Sequence, residues 1–197
     1  MINWRFSDSN KNEYLKLDET GLQVSFTGPY RLGNPPMIHT EHPIHRTKEA
    51  SKWGRLTIEM TVLNGGNDDA IAIGLRVKRC QQYDHKDTND EYDIEYRNNL
   101  YVYKYHGRNG YIYSQTETSK HFSEKIIRSQ TYTTGDMITL SLNLGTRILS
   151  FSKNERKVGE VQVSKNAFSQ NNLFPFISLN TPNSVVQAEF FDCTNGK

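Results

Sequence analysis

Apolar and polar residues alternate with a period of two in ten separate stretches of this chain. They run Leu15 to Leu17, Leu22 to Phe26, Leu56 to Val62, Ile71 to Val77, Leu100 to Tyr105, Met137 to Leu144, Ile148 to Phe151, Val158 to Val163, Phe174 to Leu179 and Val185 to Phe191. Successive side chains of a strand point to opposite faces, so each stretch reads as a strand with one face for a core. Between them lie Asn64-Gly65-Gly66-Asn67, Gly107-Arg108-Asn109-Gly110, Asn143-Leu144-Gly145-Thr146 and Thr181-Pro182-Asn183. These end strands because Gly and Asn accept positive φ and Pro has no amide to donate. Many strands without long helices between them leave one architecture, all-β, with two antiparallel sheets packed face to face.

Two polar stretches, Arg31 to Lys52 with three prolines and Lys78 to Asn99 with its Asp, Asn and Glu, read as long loops. A third, Thr116 to Thr133, is expected to hold one short helix around Lys120 to Ile127. No internal repeat or low-complexity tract interrupts the chain, so a single domain is expected over residues 1–192, with 193–197 as a tail.

Charge and cysteine usage narrow the function. The 24 basic and 22 acidic residues leave a net charge of +2, too balanced for a phosphate-binding footprint, so no nucleic-acid partner is expected. No apolar run approaches the roughly 18 residues of a membrane span, and MINWRFSDSN lacks a basic start followed by an apolar stretch. Cys80 and Cys193 are expected as free thiols, which points to an intracellular, cytoplasmic protein. His39, His42 and His45 stand three apart, but Pro43 forbids the helix that would line them up, so no metal is expected. No cofactor is implied, and the chain is expected to be a monomer.

One motif suggests chemistry. In DEYDIEY, Glu91, Asp93 and Glu95 would share one face of a strand, as in the ExDxE strand of laminarinase-type retaining glycosidases, which that spacing resembles. By that resemblance Glu91 is the nucleophile, Asp93 tunes it and Glu95 is the general acid. Against it, Cα atoms four residues apart on a flat strand are about 13 Å apart, whereas a retaining mechanism needs its carboxyls about 5 Å apart. A lectin-like reading is also open, since Asp84, Asp87, Asn89 and Asp90 are clustered, though not at EF-hand spacing.

The carboxyl half reads TYTTGDMITLSLNLGTRILSFSKNERKVGEV and then NNLFPFISLNTPNSVVQAEFF; the amino half carries LQVSFTG, TEHPIH, GRLTIEMTV and AIAIGL. This ordered set resembles the SPRY family, with Gly135, Asp136, Asn143, Phe151, Asn154, Pro175 and Phe190 at its characteristic positions. The segment YVYKYHGRNG resembles the family's Ran-binding protein M branch. Glu155 stands where the family has Gly, so a wider or differently shaped turn is expected there.

The resemblance implies a concanavalin-like sandwich without catalysis that docks a protein or peptide on loops at one edge. By it, the loop around Pro43 to Arg46, the loop after Leu75, the turn from Tyr105 to Tyr111 and the loop after Leu179 should converge. His45, Arg46, Arg79, Tyr83, Tyr105, Arg108, Tyr111 and Asn180 are the implied partner-binding residues. Aromatic and Arg anchors suit such a role because they bury area at little entropic cost.

Overall fold

The computed structural model describes residues 4–9, 11–29, 35–44, 54–68, 70–77, 101–118, 121–169 and 173–193. Among them the chain forms β1 (Leu15–Leu17), β2 (Gln23–Phe26), β3 (Met37–His39), β4 (Arg55–Asn64), β5 (Ile71–Val77), β6 (Tyr101–His106) and β7 (Tyr111–Thr118). There follow β8 (His121–Arg128), β9 (Met137–Asn143), β10 (Ile148–Lys153), β11 (Arg156–Gln162), the helix α1 (Lys165–Ser169), β12 (Leu173–Leu179) and β13 (Val185–Cys193). The strands build two antiparallel sheets, ordered β1-β2-β13-β4-β9-β10-β11 and β3-β12-β5-β6-β7-β8. The two-sheet sandwich read from the alternation is the fold.

The alternation becomes the core directly. Leu56, Ile58, Met60 and Val62 of β4 are buried while their neighbours are more exposed. Ile58 lies opposite Leu140 of β9 and Phe190 of β13, and Leu140 opposite Phe151 of β10. The facing sheet contributes Ile71, Ile73, Leu75 and Val77 of β5 with Tyr101, Tyr103 and Tyr105 of β6. Burying each such aliphatic side chain stabilises the fold by about 1.5–3 kcal/mol. Trp4 stacks on Phe190 with ring centroids 5.5 Å apart, which closes the core beside β13.

Strand β5 is buried on both faces. Gly74 makes its approach to β6 possible, since a Cβ there would press on the Tyr103 carbonyl oxygen and lie 2.7 Å from the Lys104 Cα.

Four local readings change. The helix expected around Lys120 to Ile127 is the strand β8, paired residue by residue with β7; Glu, Lys and Ile tolerate a helix, but a free sheet edge beside them supplies the backbone partners that settle the matter. Strand β7 itself, and β3 inside the proline-rich stretch, were not among the ten alternating stretches. A short helix does exist, at Lys165–Ser169. The Asn154-Glu155 turn is not wider: Lys153 pairs with Arg156, and Asn154 and Glu155 take φ values of 48° and 68°. It is a two-residue hairpin of the kind that places both central residues at positive φ.

The family's Gly-Asp and Asn positions form a brace between two turns. Asp136 accepts the Thr133 amide at 2.9 Å, the Asn154 Nδ2 at 2.8 Å and the Lys153 ammonium at 2.9 Å. Asn154 Oδ1 in turn accepts the Met137 amide at 2.9 Å. Burial pushes the Asp136 carboxyl up, but the Thr133 amide, Lys153 and Asn154 together outweigh it and hold the group below its ordinary value.

Candidate partner-binding site

Two of the implied loops meet where β5 begins. The Gly107 amide and the Tyr132 hydroxyl both donate to the Ile71 carbonyl, at 2.8 and 3.0 Å, and the Asn180 amide donates to the Ala70 carbonyl at 3.1 Å. The Tyr132 hydroxyl lies equally close to the Tyr105 carbonyl, at 3.0 Å, so its one hydrogen is shared between the two oxygens. This ties the β6–β7 turn to the loop after Leu179. Gly66 brings in the β4–β5 turn: it sits at φ 70°, and a Cβ on it would lie 2.8 Å from Thr181 Cβ and 3.0 Å from the Pro182 carbonyl oxygen.

The other two loops leave from the opposite end. Ile44 donates its amide to the Leu173 carbonyl at 2.7 Å, and Val77 pairs with Leu173, whereas Ile71 pairs with Leu179. The six steps along β5 separate these ends by about 20 Å. So Pro43 and Ile44 do not join the turn from Tyr105 to Tyr111. His45, Arg46, Arg79 and Tyr83 lie outside the described residues, as do Glu91, Asp93, Glu95 and the Asp84 to Asp90 cluster.

The four described residues have different parts. Tyr105 is wholly buried, its ring against Tyr132 and Phe151 and its hydroxyl on the Gln130 carbonyl, so it offers no surface to a partner. Its burial follows from the odd-numbered tyrosines of β6 sharing the core face. Asn180 is 9% exposed and fixes the loop through its amide. Arg108 is exposed at the turn and Tyr111 half-buried at the start of β7. Tyr111 meets Tyr113 edge to face at 6.1 Å, and Asn109 ties the turn to the start of β7, accepting the Tyr111 amide and donating to the Tyr113 hydroxyl, each at 2.9 Å.

Residues outside that set complete the surface. On the outer face of the second sheet Ala72 lies between Ser178 of β12 and His106 of β6. Ser178 Oγ and His106 Nδ1 are buried and have no hydrogen-bond partner, as are Thr181 Oγ1 and Ser184 Oγ in the adjoining loop. Such atoms are rare because each costs about 1–3 kcal/mol. Burial, with Lys104 and Arg108 nearby, pushes the His106 imidazole down to about 4, so it is neutral at pH 7. Burial also lowers Lys104, against the pull of Glu124; its ammonium lies 5.1 Å from the Tyr113 ring centroid. Ala72 and Ser178 are 5% and 2% exposed, so these groups lie beneath the outer surface, with Lys104 half-buried and Arg108 exposed beside them. A period-two count places His106 and Ser178 on the outer face, but only the register shows that they flank one alanine.

A separate cavity of about 330 Å³ opens between the sheets near their β8 and β11 edges, lined by Ser114, Lys125, Ile148, Glu160, Val161 and Gln162. Among the described residues no group of three His, Cys, Asp or Glu is placed to hold a metal ion, and no helix is long and apolar enough to cross a membrane.

Comparison with known proteins agrees with this fold. The chain is 25% identical to Ran-binding protein 9 of Xenopus tropicalis over 193 residues, covering 94% of this chain and 29% of that protein. It is 26% identical to human Ran-binding protein 9, covering 94% and 22%. The chain thus spans less than a third of the length of these curated relatives. Among solved structures, the SPRY domain of human HERC1 superposes with a TM-score of 0.60 at 15% identity, covering 93% of this chain and 96% of that one. The TRIM65 PSpry domain gives 0.60 at 11% identity, covering 95% and 90%. The SPRY domain family model matches residues 56–192, more than half of the chain, and the chain belongs to the SPRY domain family.

Proposed function

We propose that this SPRY domain is a non-catalytic interaction module that docks a protein segment in a trough opened over Ala72, with Arg108 and Tyr111 as its anchors. The observation that carries the reading is the pair of buried, unpartnered polar atoms, Ser178 Oγ and His106 Nδ1, on either side of that alanine. Both atoms are shielded from solvent, so an extended peptide, which supplies amides and carbonyls at strand spacing, would satisfy them by displacing what covers them. The β6–β7 turn and the loop after Leu179 are braced by backbone bonds to β5, so little ordering entropy opposes docking. An acidic segment is favoured by Lys104 and Arg108. That the curated relatives are named as proteins that bind Ran supports a protein as the class of partner; Ran itself is not carried over. His45, Arg46, Arg79 and Tyr83 remain expectations from resemblance.

The test compares partner capture by wild type with Arg108→Ala, Tyr111→Ala and Ser178→Ala, using Arg156→Ala on β11 as a control. Buried anchors at such interfaces cost more than about 1 kcal/mol when truncated, roughly tenfold in affinity at 1.4 kcal/mol. If all three variants hold the partner as tightly as the control does, the trough is not the site.

A further inference from the structure

Among the described residues strand β8 is the open edge of the second sheet. The ladder beside it fixes which of its backbone groups are free. The Ser129 amide donates to the Gly110 carbonyl at 2.8 Å, and along an antiparallel ladder bonded and non-bonded pairs alternate. Ile127 opposite Ile112 and Lys125 opposite Ser114 are therefore bonded to β7, and the amides and carbonyls of Glu124, Ile126 and Arg128 face away from the sheet. The side chains of those same residues share the outer face, where Ile126 extends the row from Lys104 through Tyr113.

Ile126 is 50% exposed, the most exposed large hydrophobic side chain among the described residues. Glu124 and Arg128 flank it, both exposed. A row of free amides and carbonyls is a template for another strand. The other edges offer less: β1 and β3 are three residues long, and β11 carries Arg156, Lys157 and Glu160 around a glycine.

We propose that β8 pairs antiparallel with β8 of a second copy of this chain, about a two-fold axis through Ile126. In that register Ile126 meets Ile126 of the second copy, Glu124 meets Arg128 of the second copy, and the outward backbone groups of all three residues bond across the axis. Charge selects this register, because like charges directly opposite are unfavourable. An axis through Glu124, Lys125 or Arg128 sets that charge against itself, and an axis through Ile127 sets Ile126 against Arg128 with no ion pair. The contact replaces the expected monomer with a weak dimer: one joined strand buries well under the about 1,600 Å² of a standard interface, which places dissociation in the micromolar range or above.

Sedimentation velocity over about two orders of magnitude in concentration around that range reads the equilibrium. Wild type is expected to shift from monomer to dimer. Glu124→Arg and Arg128→Glu each set like charges opposite one another, and each should weaken self-association at least about fivefold. Mixed in equal amounts, the two variants should pair with each other as well as wild type does, because each supplies the charge the other lacks. Unfolding midpoints matching wild type confirm that β8 itself is intact. A wild type that stays monomeric throughout, a dimer indifferent to both substitutions, or a mixture that fails to recover overturns the proposal.

Discussion

Replacing Glu155 with Gly should stabilise the protein, although Glu155 lies far from the trough. The residue sits at φ 68° in the two-residue turn between Lys153 and Arg156, is exposed, and makes no side-chain hydrogen bond. A non-glycine residue in the left-handed region costs about 1–2 kcal/mol, because its Cβ crowds the following carbonyl oxygen. Gly removes that cost but gives back about 0.5–1 kcal/mol through the greater freedom of the unfolded chain. The net gain is about 0.5–1 kcal/mol, which raises the unfolding midpoint by about 1–4 °C in a domain of this size. Urea unfolding should show a higher midpoint concentration at unchanged slope. Asn154→Gly is the internal control. It relaxes the neighbouring positive φ of 48°, yet discards the bonds to Asp136 and the Met137 amide, so it should destabilise. If Glu155→Gly is neutral or destabilising, or Glu155→Ala stabilises equally, the strain argument fails.

The Asp136 brace should make stability depend on acid. Its folded pKa lies below the unfolded value near 3.9, so the unfolded chain takes up the proton first. Its contribution is complete above about pH 5 and lost as pH falls through the folded pKa; Asp136→Asn should flatten that decline in chemical unfolding. His106 acts over a higher window. With a folded pKa of about 4 against about 6.5 unfolded, it withdraws stability as pH falls from about 6.5 to about 4, and an NMR titration of its ring should find it neutral at pH 6. A midpoint near 6.5 would mean that the ring is not held in the buried position beside Ala72. Gly74→Ala should unfold the protein or cost several kcal/mol, about 3 or more, since the added Cβ meets β6 backbone that cannot move aside; a fully stable variant would refute that close approach.

The parts of the fold legible in the sequence are those where one face is buried. Leu56 to Val62 and Ile71 to Val77 announce themselves because each core contact repeats every second residue. The edges are less legible for the same reason. Strand β8 has half-exposed or exposed residues from Glu124 to Arg128, so no face is marked by hydrophobicity, and its strand state comes from pairing with β7. The three-residue β3 is too short to show a period. The turn that carries Arg108 was legible from its Gly and Asn, whereas Arg108 and Tyr111 enter the proposed site through the family resemblance. Tyr105 ends an alternating stretch and also stands in the implied binding set, and the structure places it in the core. The row Ser178, Ala72 and His106 was not legible, because these residues are far apart in sequence and only the ladder brings them together. Two of the four loops expected to meet leave from the other end of β5, because the order of segments does not say which end of a strand each loop leaves from.

The claim that this domain holds a protein segment over Ala72 is tested most directly by a photo-crosslinking residue placed at Tyr111, with the same residue at Lys157 on β11 as the control. The account predicts a discrete covalent adduct with one protein at position 111, absent at 157 and lost when Arg108→Ala is added. No adduct at 111, or the same adducts at both positions, would contradict it.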